Sequence, residues 1–260
     1  MSRTTTPDDE LVTSLLRGLE VLDILGSSDE PLSLAEVARA VDTTRATARR
    51  FLLTLEHMGY VATNGPTFWL RPKIMELGDT YLDCLGLPAI AHPHLASLAH
   101  EVRDTCSLTV LDGDSVVYVD RVKASRVLRV NIAVGTRLPA FATSTGRVLL
   151  ADFDDERLHT FLSDLHAEPL TGRTQTDPDS VARMIATART DGYAIADQEL
   201  DPVLRSVAAP VRGKDGRAVA AVNVSTHVTR TSLEQLRESI LPRLLDTSAA
   251  ISAALIAAEE

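Results

Sequence analysis

The chain has 260 residues, 45% of them hydrophobic, and a formal net charge of −10. That length supports two domains with cores of their own, and the acidic balance excludes indiscriminate polyanion binding. Two cysteines, Cys84 and Cys106, make neither a disulfide framework nor a zinc pattern. No apolar run approaches the roughly 20 residues of a membrane helix, and the start MSRTTTPDDE lacks a signal-peptide core. The expectation is a cytoplasmic protein with no membrane partner.

Residues 1–10 are polar and read as disordered. Leu15, Leu19, Leu22 and Leu25 then form one helical stripe, stopped by Gly26. Ser33 and Glu36 make a capping box, and Leu34, Val37, Ala38 and Val41 fall on one face of a second helix. Asp42-Thr43 breaks the pattern and offers a fresh N-cap. In the third helix Ala48, Phe51, Leu52 and Leu55 share a face. Ala46 and Arg50 point nearly opposite it, with Arg49 and Thr47 flanking and Arg45 in the first turn. An arginine fork suits guanine O6 and N7, Thr suits bases or phosphates, and Ala permits close approach. A solvated basic helix would show the same face.

The next segment weighs against that plainer reading. Tyr60–Thr63 and Thr67–Leu70 are β-prone runs joined through Asn64-Gly65-Pro66, a hairpin signal. Three helices followed by a hairpin make a winged helix-turn-helix, placed at 14–72. Residues 43–73 carry Arg45, Arg49, Arg50, Arg71 and Lys73 against Glu56 alone, a net of +4. The expected DNA contacts are Arg45, Thr47, Arg49 and Arg50 in the major groove, Thr43 and Thr44 near phosphates, and Asn64 on the wing. Two such helices in a dimer would read a palindromic site in double-stranded DNA.

Pro72 can open a helix, and Ile74, Leu77, Tyr81 and Leu82 form an apolar stripe that would favour dimerisation. Residues 73–86 thus read as a linker helix. From 87 to 260 the pattern is α+β. A helix at 88–104 precedes strands at 107–111, 116–122 and 127–134, the first two joined by Asp112-Gly113-Asp114. Helices follow at 144–152, 155–165 and 178–191. Strands return at 193–196, 207–212 and 218–225, the last two linked by Lys214-Asp215-Gly216. A final helix starts at a capping box, Thr231 to Glu234, with Pro242 bending it. Antiparallel pairs with interspersed helices indicate a sheet with helices largely on one face.

Ser144 opens the helix STGRVLLA, so the amides around Thr145 and Gly146 would form an anion-accepting N-terminus. Arg137 lies just upstream, Arg126 and Arg129 lie on the preceding strand, and Leu138 and Phe141 offer apolar walls. A small aromatic carboxylate would fit there. Ser144 can equally be only an N-cap, Asp197 a turn residue and Arg137 half of an ion pair. Asn223 and Ser225 share a strand face and signify a ligand only if that face points inward. His92, His94 and His100 lack metal-site spacing, and phosphate loops and G-x-S-x-G are absent. No cofactor, metal or catalytic site is expected, and an enzyme has no constellation behind it.

The stretches RRFLLTLEHMGYV (49–61), GTRLPAFATSTGRVLLA (135–151) and DGYAIADQELDPVLRSVAAPV (191–211) resemble the IclR family of bacterial transcriptional regulators. The likeness runs from Leu15 to the last helix. ARRFLLTL, FWLRPKIMELG and VNIAVGTRLPAFATSTGRVLLA look most like the branch governing protocatechuate, 4-hydroxybenzoate and β-ketoadipate pathway genes. The resemblance implies a winged helix-turn-helix, a linker helix and a GAF-like effector-binding domain, in a homodimer or dimer of dimers. It also implies a pocket lined by Val127, Val130, Leu138, Ser144, Thr145, Asp197, Ser206, Asn223 and Ser225, beside Arg129 and Arg137 from the residue pattern. Members that bind keto acids tend to have Gly-Ala where this chain has Ser144-Thr145, and some have an acidic residue at Ala196. The expected function is a regulator gated by a small carboxylate. The alternatives are a DNA-binding dimer whose second domain only oligomerises, and a sensor of a non-aromatic keto acid.

Overall fold

The capping box at Ser33 forms: the Glu36 carboxylate accepts from the Ser33 amide at 2.8 Å, and Ser33 Oγ accepts from the Glu36 amide at 3.4 Å. It starts the second helix of the first of two units. The structure, a computed structural model, describes residues 11–123 and 132–258, and the division between the units falls between Tyr81 and Leu82. Residues 1–10 and most of the strand expected at 127–134 lie outside the described residues.

In the first unit, α1 (Thr13–Gly26), α2 (Leu34–Ala40) and α3 (Arg45–His57) pack on a sheet of β1 (Leu32–Ser33), β2 (Val61–Thr63) and β3 (Thr67–Leu70). The sheet order is β1-β3-β2, antiparallel throughout. β1 was not foreseen, since two residues carry no readable alternation; it pairs Leu32 with Phe68 and Ser33 with Thr67. Val21, Leu25, Val37, Val41, Leu52 and Phe68 are buried together. Leu15 and Leu19 of the expected stripe are instead 62% and 52% exposed, because Val21 and Leu25 face the core. The third helix takes its N-cap from Thr44, not from Asp42-Thr43. At the wing tip, Gly65 has φ +102°, a backbone region that L side chains rarely adopt.

Residues 72–74 form a 3₁₀ turn, and α4 (Met75–Leu85) follows. Its Met75, Leu77 and Tyr81 are exposed, whereas Leu82 and Leu85 pack on the core of the second unit. That unit adds α5 (Leu87–Val102), β4 (Thr105–Asp112), β5 (Ser115–Val122), β6 (Arg137–Pro139), α6 (Ser144–Leu150), α7 (Asp155–Ser163) and α8 (Pro178–Asp191). It is completed by β7 (Ala194–Asp197), β8 (Leu204–Arg212), β9 (Ala218–His227), the single turn α9 (Leu233–Gln235) and α10 (Leu241–Ala258). The strands form one antiparallel sheet, in order β6-β5-β4-β9-β8-β7.

Helices cover both faces of that sheet, which corrects the one-face expectation. α5 and α10 lie over Leu108, Val207, Val222 and Val224, while α6 and α8 lie over Val116, Tyr118, Ala208 and Ala221. An amphipathic pattern shows that a helix has a buried side, but not which face of a sheet receives it. The last helical run begins at a capping box of Ser232 and Gln235, one residue beyond the expected pair. A π-helical turn, Leu236–Ile240, precedes Pro242 and relieves the backbone bond that proline cannot make.

An 18-residue window within residues 233–258 reaches a mean hydropathy of 1.4, enough to cross a bilayer by length and composition, although Arg243 and Asp246 interrupt the apolar run. Leu244 and Ile251 are fully buried against the sheet side of the core. At about 1.5–3 kcal/mol for each buried aliphatic side chain, that face keeps the helix in the protein core.

Candidate DNA-reading helix and effector cavity

α3 combines one buried and one bare side. Ala48 and Leu52 are wholly buried, and Thr44 Oγ1 caps the helix by accepting from the Thr47 amide at 3.2 Å. Thr44 and Thr47 also share a hydroxyl bond of 3.0 Å, so both are partly committed to holding the helix start. Thr43 is half-buried, its amide bonded to the Ala38 carbonyl. Arg45, Ala46, Arg49 and Arg50 are exposed. Among the described residues no carboxylate lies within ion-pair distance of those three arginines, which leaves their forks free for an external polyanion. On the wing, Asn64 Oδ1 accepts from the Thr67 amide and hydroxyl at 3.0 and 2.9 Å. The Asn64 side-chain oxygen therefore shapes the turn. We expect Arg50→Ala to weaken specific DNA binding by about 1–3 kcal/mol if it forks onto a base; unchanged operator affinity in a gel-shift titration would remove it from the reading face.

The second site lies between α6 and the inner face of the second sheet. The register aligns Ala196 with Ser206, Ser206 with Ser225 and Ala208 with Asn223. Because side chains alternate, Ser206, Asn223 and Ser225 all point to the α6 side, and each is more than nine-tenths buried. Ser144 and Thr145 face them from α6, each 1% exposed. Ser144 Oγ and Ser206 Oγ lie 2.9 Å apart, and Asn223 Nδ2 donates to Ser225 Oγ at 3.1 Å. Thr145 Oγ1 and Asn223 Oδ1 are buried without a hydrogen-bond partner. Between these groups is a narrow cavity with a free volume of about 10 Å³, room for about one water.

Several lining groups were not anticipated. Tyr118 closes one side; burial pushes its phenol up to about 12, against a smaller opposing effect of Arg121, so it remains a neutral donor. Glu199 forms another wall, held by a fully buried Arg147 through paired bonds of 2.7 and 2.5 Å. Arg147 Nε also donates to the Phe141 carbonyl at 3.0 Å. A lone arginine in the apolar run TGRVLLA was the available signal for this pair.

Other expectations need correction. The N-cap of α6 is Thr143, whose hydroxyl accepts from the Gly146 amide at 3.0 Å. The Gly146 amide is thus already satisfied, and α6 is only seven residues long, so fewer free amides face an anion at its start than expected. Arg137, on edge strand β6, is exposed and pairs with Asp112 at 2.6 Å. Neither it nor Leu138, which packs against the same core cluster as Tyr118, lines the cavity. Asp197 follows Ala196 on β7 and so faces away from the cavity. Burial works against its charge, yet the Arg205 hydrogen bond at 2.7 Å, helped by Gln198 and Arg173, holds its carboxyl below the ordinary range. Val127, Arg129 and Val130 lie outside the described residues.

A winged helix-turn-helix joined to an α+β domain with a polar cavity defines a ligand-sensing, DNA-binding regulator. Comparison with known proteins gives the same class. Residues 79–253 match the family model for the bacterial transcriptional regulator IclR C-terminal domain, and residues 14–65 match the IclR helix-turn-helix domain. The chain belongs to the IclR family, whose members found by comparison are transcriptional regulators and not enzymes.

Among curated relatives, the Pca regulon regulatory protein of Pseudomonas putida is 37% identical over 94% of this chain and 84% of its own. The solved structure of a proposed transcriptional regulator from Rhodococcus sp. RHA1 is 48% identical, with a TM-score of 0.85, covering 95% of this chain and 100% of the other. The inducer-binding domain of a double mutant of PobR from Acinetobacter, solved with 3-hydroxybenzoic acid, is 30% identical. It covers 64% of this chain and 97% of its own, with a TM-score of 0.60.

Proposed function

We propose that this regulator binds an aromatic monocarboxylate of the hydroxybenzoate class in the cavity between α6 and the sheet, and that occupancy shifts its affinity for an operator of an aromatic-acid catabolic pathway. The observation that carries this reading is the pair of unpartnered atoms, Thr145 Oγ1 and Asn223 Oδ1, facing one small buried space. Each unmet buried polar group costs about 1–3 kcal/mol. A domain that served only to oligomerise would do better to fill that space with methyl groups. The hydroxyls and neutral phenol of the wall suit the phenolic hydroxyl and carboxyl oxygens of such an acid. The relation to a Pca regulon protein and to PobR with 3-hydroxybenzoic acid supports the same ligand class.

The cavity as it stands is too small for a benzene ring, so binding selects an opened arrangement of α6 or the β7–β8 connection. The protein acts as a homodimer or dimer of dimers on a palindromic site in the cytoplasm. Exposed Leu15, Leu16 and Leu19 on α1, and Leu77 and Tyr81 on α4, supply apolar surface for that association.

Thermal unfolding with 4-hydroxybenzoate, 3-hydroxybenzoate, protocatechuate, β-ketoadipate and pyruvate tests the ligand class. At about 100 times its dissociation constant a ligand stabilises its site by roughly 2.7 kcal/mol. We expect a raised midpoint with a hydroxybenzoate and none with pyruvate, the rise disappearing in Asn223→Leu. A rise with β-ketoadipate or pyruvate alone would replace the aromatic class.

A further inference from the structure

We propose that an open groove beside α8 is a second carboxylate-binding site, distinct from the cavity, which collects the aromatic acid and passes it inward beside Glu199. This rests on the cavity reading above for the ligand, but not for the groove itself. The groove has a free volume of about 570 Å³ against about 10 Å³ for the cavity. Glu199 lines both and is the wall between them.

The groove's two carboxylates are already satisfied. Glu199 is locked to Arg147 from the inside, and Asp197 accepts from the largely buried Arg205 at 2.7 Å. Two exposed arginines remain. Arg173 reaches Asp197 through a single contact of 3.2 Å and is 61% exposed. Arg183 donates to Ser180 Oγ at 2.8 Å and has no ion pair among the described residues. The nearby Asp177 carboxylate is engaged by the Ser180 amide and hydroxyl, at 2.9 and 2.7 Å. Free guanidinium N–H groups suit a carboxylate through paired bonds, and their flat faces suit an aromatic ring. Met184 and the Thr187 methyl offer apolar floor.

The far rim of the groove is also the latch on the wall. Thr171 Oγ1 donates to the Gln198 carbonyl and Thr174 Oγ1 to the Glu199 carbonyl, both at 2.6 Å. Segment 171–175 therefore carries Arg173 and grips the backbone on either side of the Glu199 wall. An anion drawn to Arg173 acts on the segment that holds the β7–β8 connection, one of the two elements whose shift opens the cavity.

The test titrates 4-hydroxybenzoate at low salt into the wild type, Asn223→Leu, Arg173→Ala/Arg183→Ala and all three changes combined, by ligand saturation-transfer NMR and stopped-flow mixing. A single cooperative melting transition in each variant establishes that it is folded. Asn223→Leu should lose the tight phase and keep a weaker one, which vanishes in the combined variant. Arg173→Ala/Arg183→Ala alone should slow association and dissociation together, by about tenfold, at an unchanged Kd. No residual binding in Asn223→Leu, or rates unaltered by the two alanines, overturns the groove. Binding that Asn223→Leu leaves intact and the two alanines abolish upholds the groove and removes the cavity. Absence of any binding to the wild type removes both.

Discussion

Glu199→Ala is expected to destabilise the second unit by about 3–5 kcal/mol, the cost of leaving a buried charge unpaired. Arg147 is 1% exposed and Glu199 is 5% exposed, and the two meet through a bidentate contact. With the carboxylate gone, the guanidinium keeps only carbonyl partners, Phe141 at 3.0 Å and Ile195 at 3.4 Å. Water would have to enter, or α6 would have to move. Replacing both partners, as Arg147→Met with Glu199→Leu, should recover most of the loss, because no charge then remains to be desolvated. Urea unfolding of the two variants checks this. A Glu199→Ala loss below about 1 kcal/mol, the scale of surface pairs, would show that the pair is solvated in solution.

Gly146→Ala should be comparably damaging. A Cβ at Gly146 would collide with the carbonyl oxygen and Cα of Ala140, which are backbone atoms without a rotamer to yield. Overpacked cores lose about 1–3 kcal/mol, and backbone collisions fall at or above the upper end. Gly146 also lies between Thr145, whose hydroxyl faces the cavity, and Arg147, which holds its wall. The substitution should therefore lower the melting temperature and remove the hydroxybenzoate-induced rise, while leaving operator binding by the first unit less affected. Full stability together with full ligand response would mean that residues Ala140–Ala142, a 3₁₀ turn between β6 and α6, give way freely.

The winged unit was legible because its signals are local. A capping box, a 3.6-residue stripe in α3 and an Asn-Gly turn each act within a few residues, and each formed. The two-residue β1 was not, since its existence depends on β3 arriving beside it. In the second unit Ser206, Asn223 and Ser225 could be set on one strand face by alternation, but whether that face pointed inward depends on where α6 packs. The cap of α6 was misplaced by one residue because Thr143, Ser144 and Thr145 are all competent caps, and spacing cannot choose among them. Asp197 was assigned to the pocket by resemblance; alternation along β7 from Ala194 and Ala196 carries it away. Glu199 stands in the irregular connection between β7 and β8, where no period sets a side chain's direction. Only its partner, a charged residue inside an apolar helix, hinted at it.

The most direct test of the central claim is operator binding with the cavity empty and occupied. The DNA upstream of the gene, fluorescently labelled, is titrated with wild-type protein and with Asn223→Leu, with and without saturating 4-hydroxybenzoate. Coupling between the cavity and the DNA-reading helix predicts that the acid changes the wild-type dissociation constant by at least about fivefold in one direction, and leaves Asn223→Leu unmoved. Superimposable wild-type curves with and without the acid, in protein shown by thermal shift to bind it, would contradict the account.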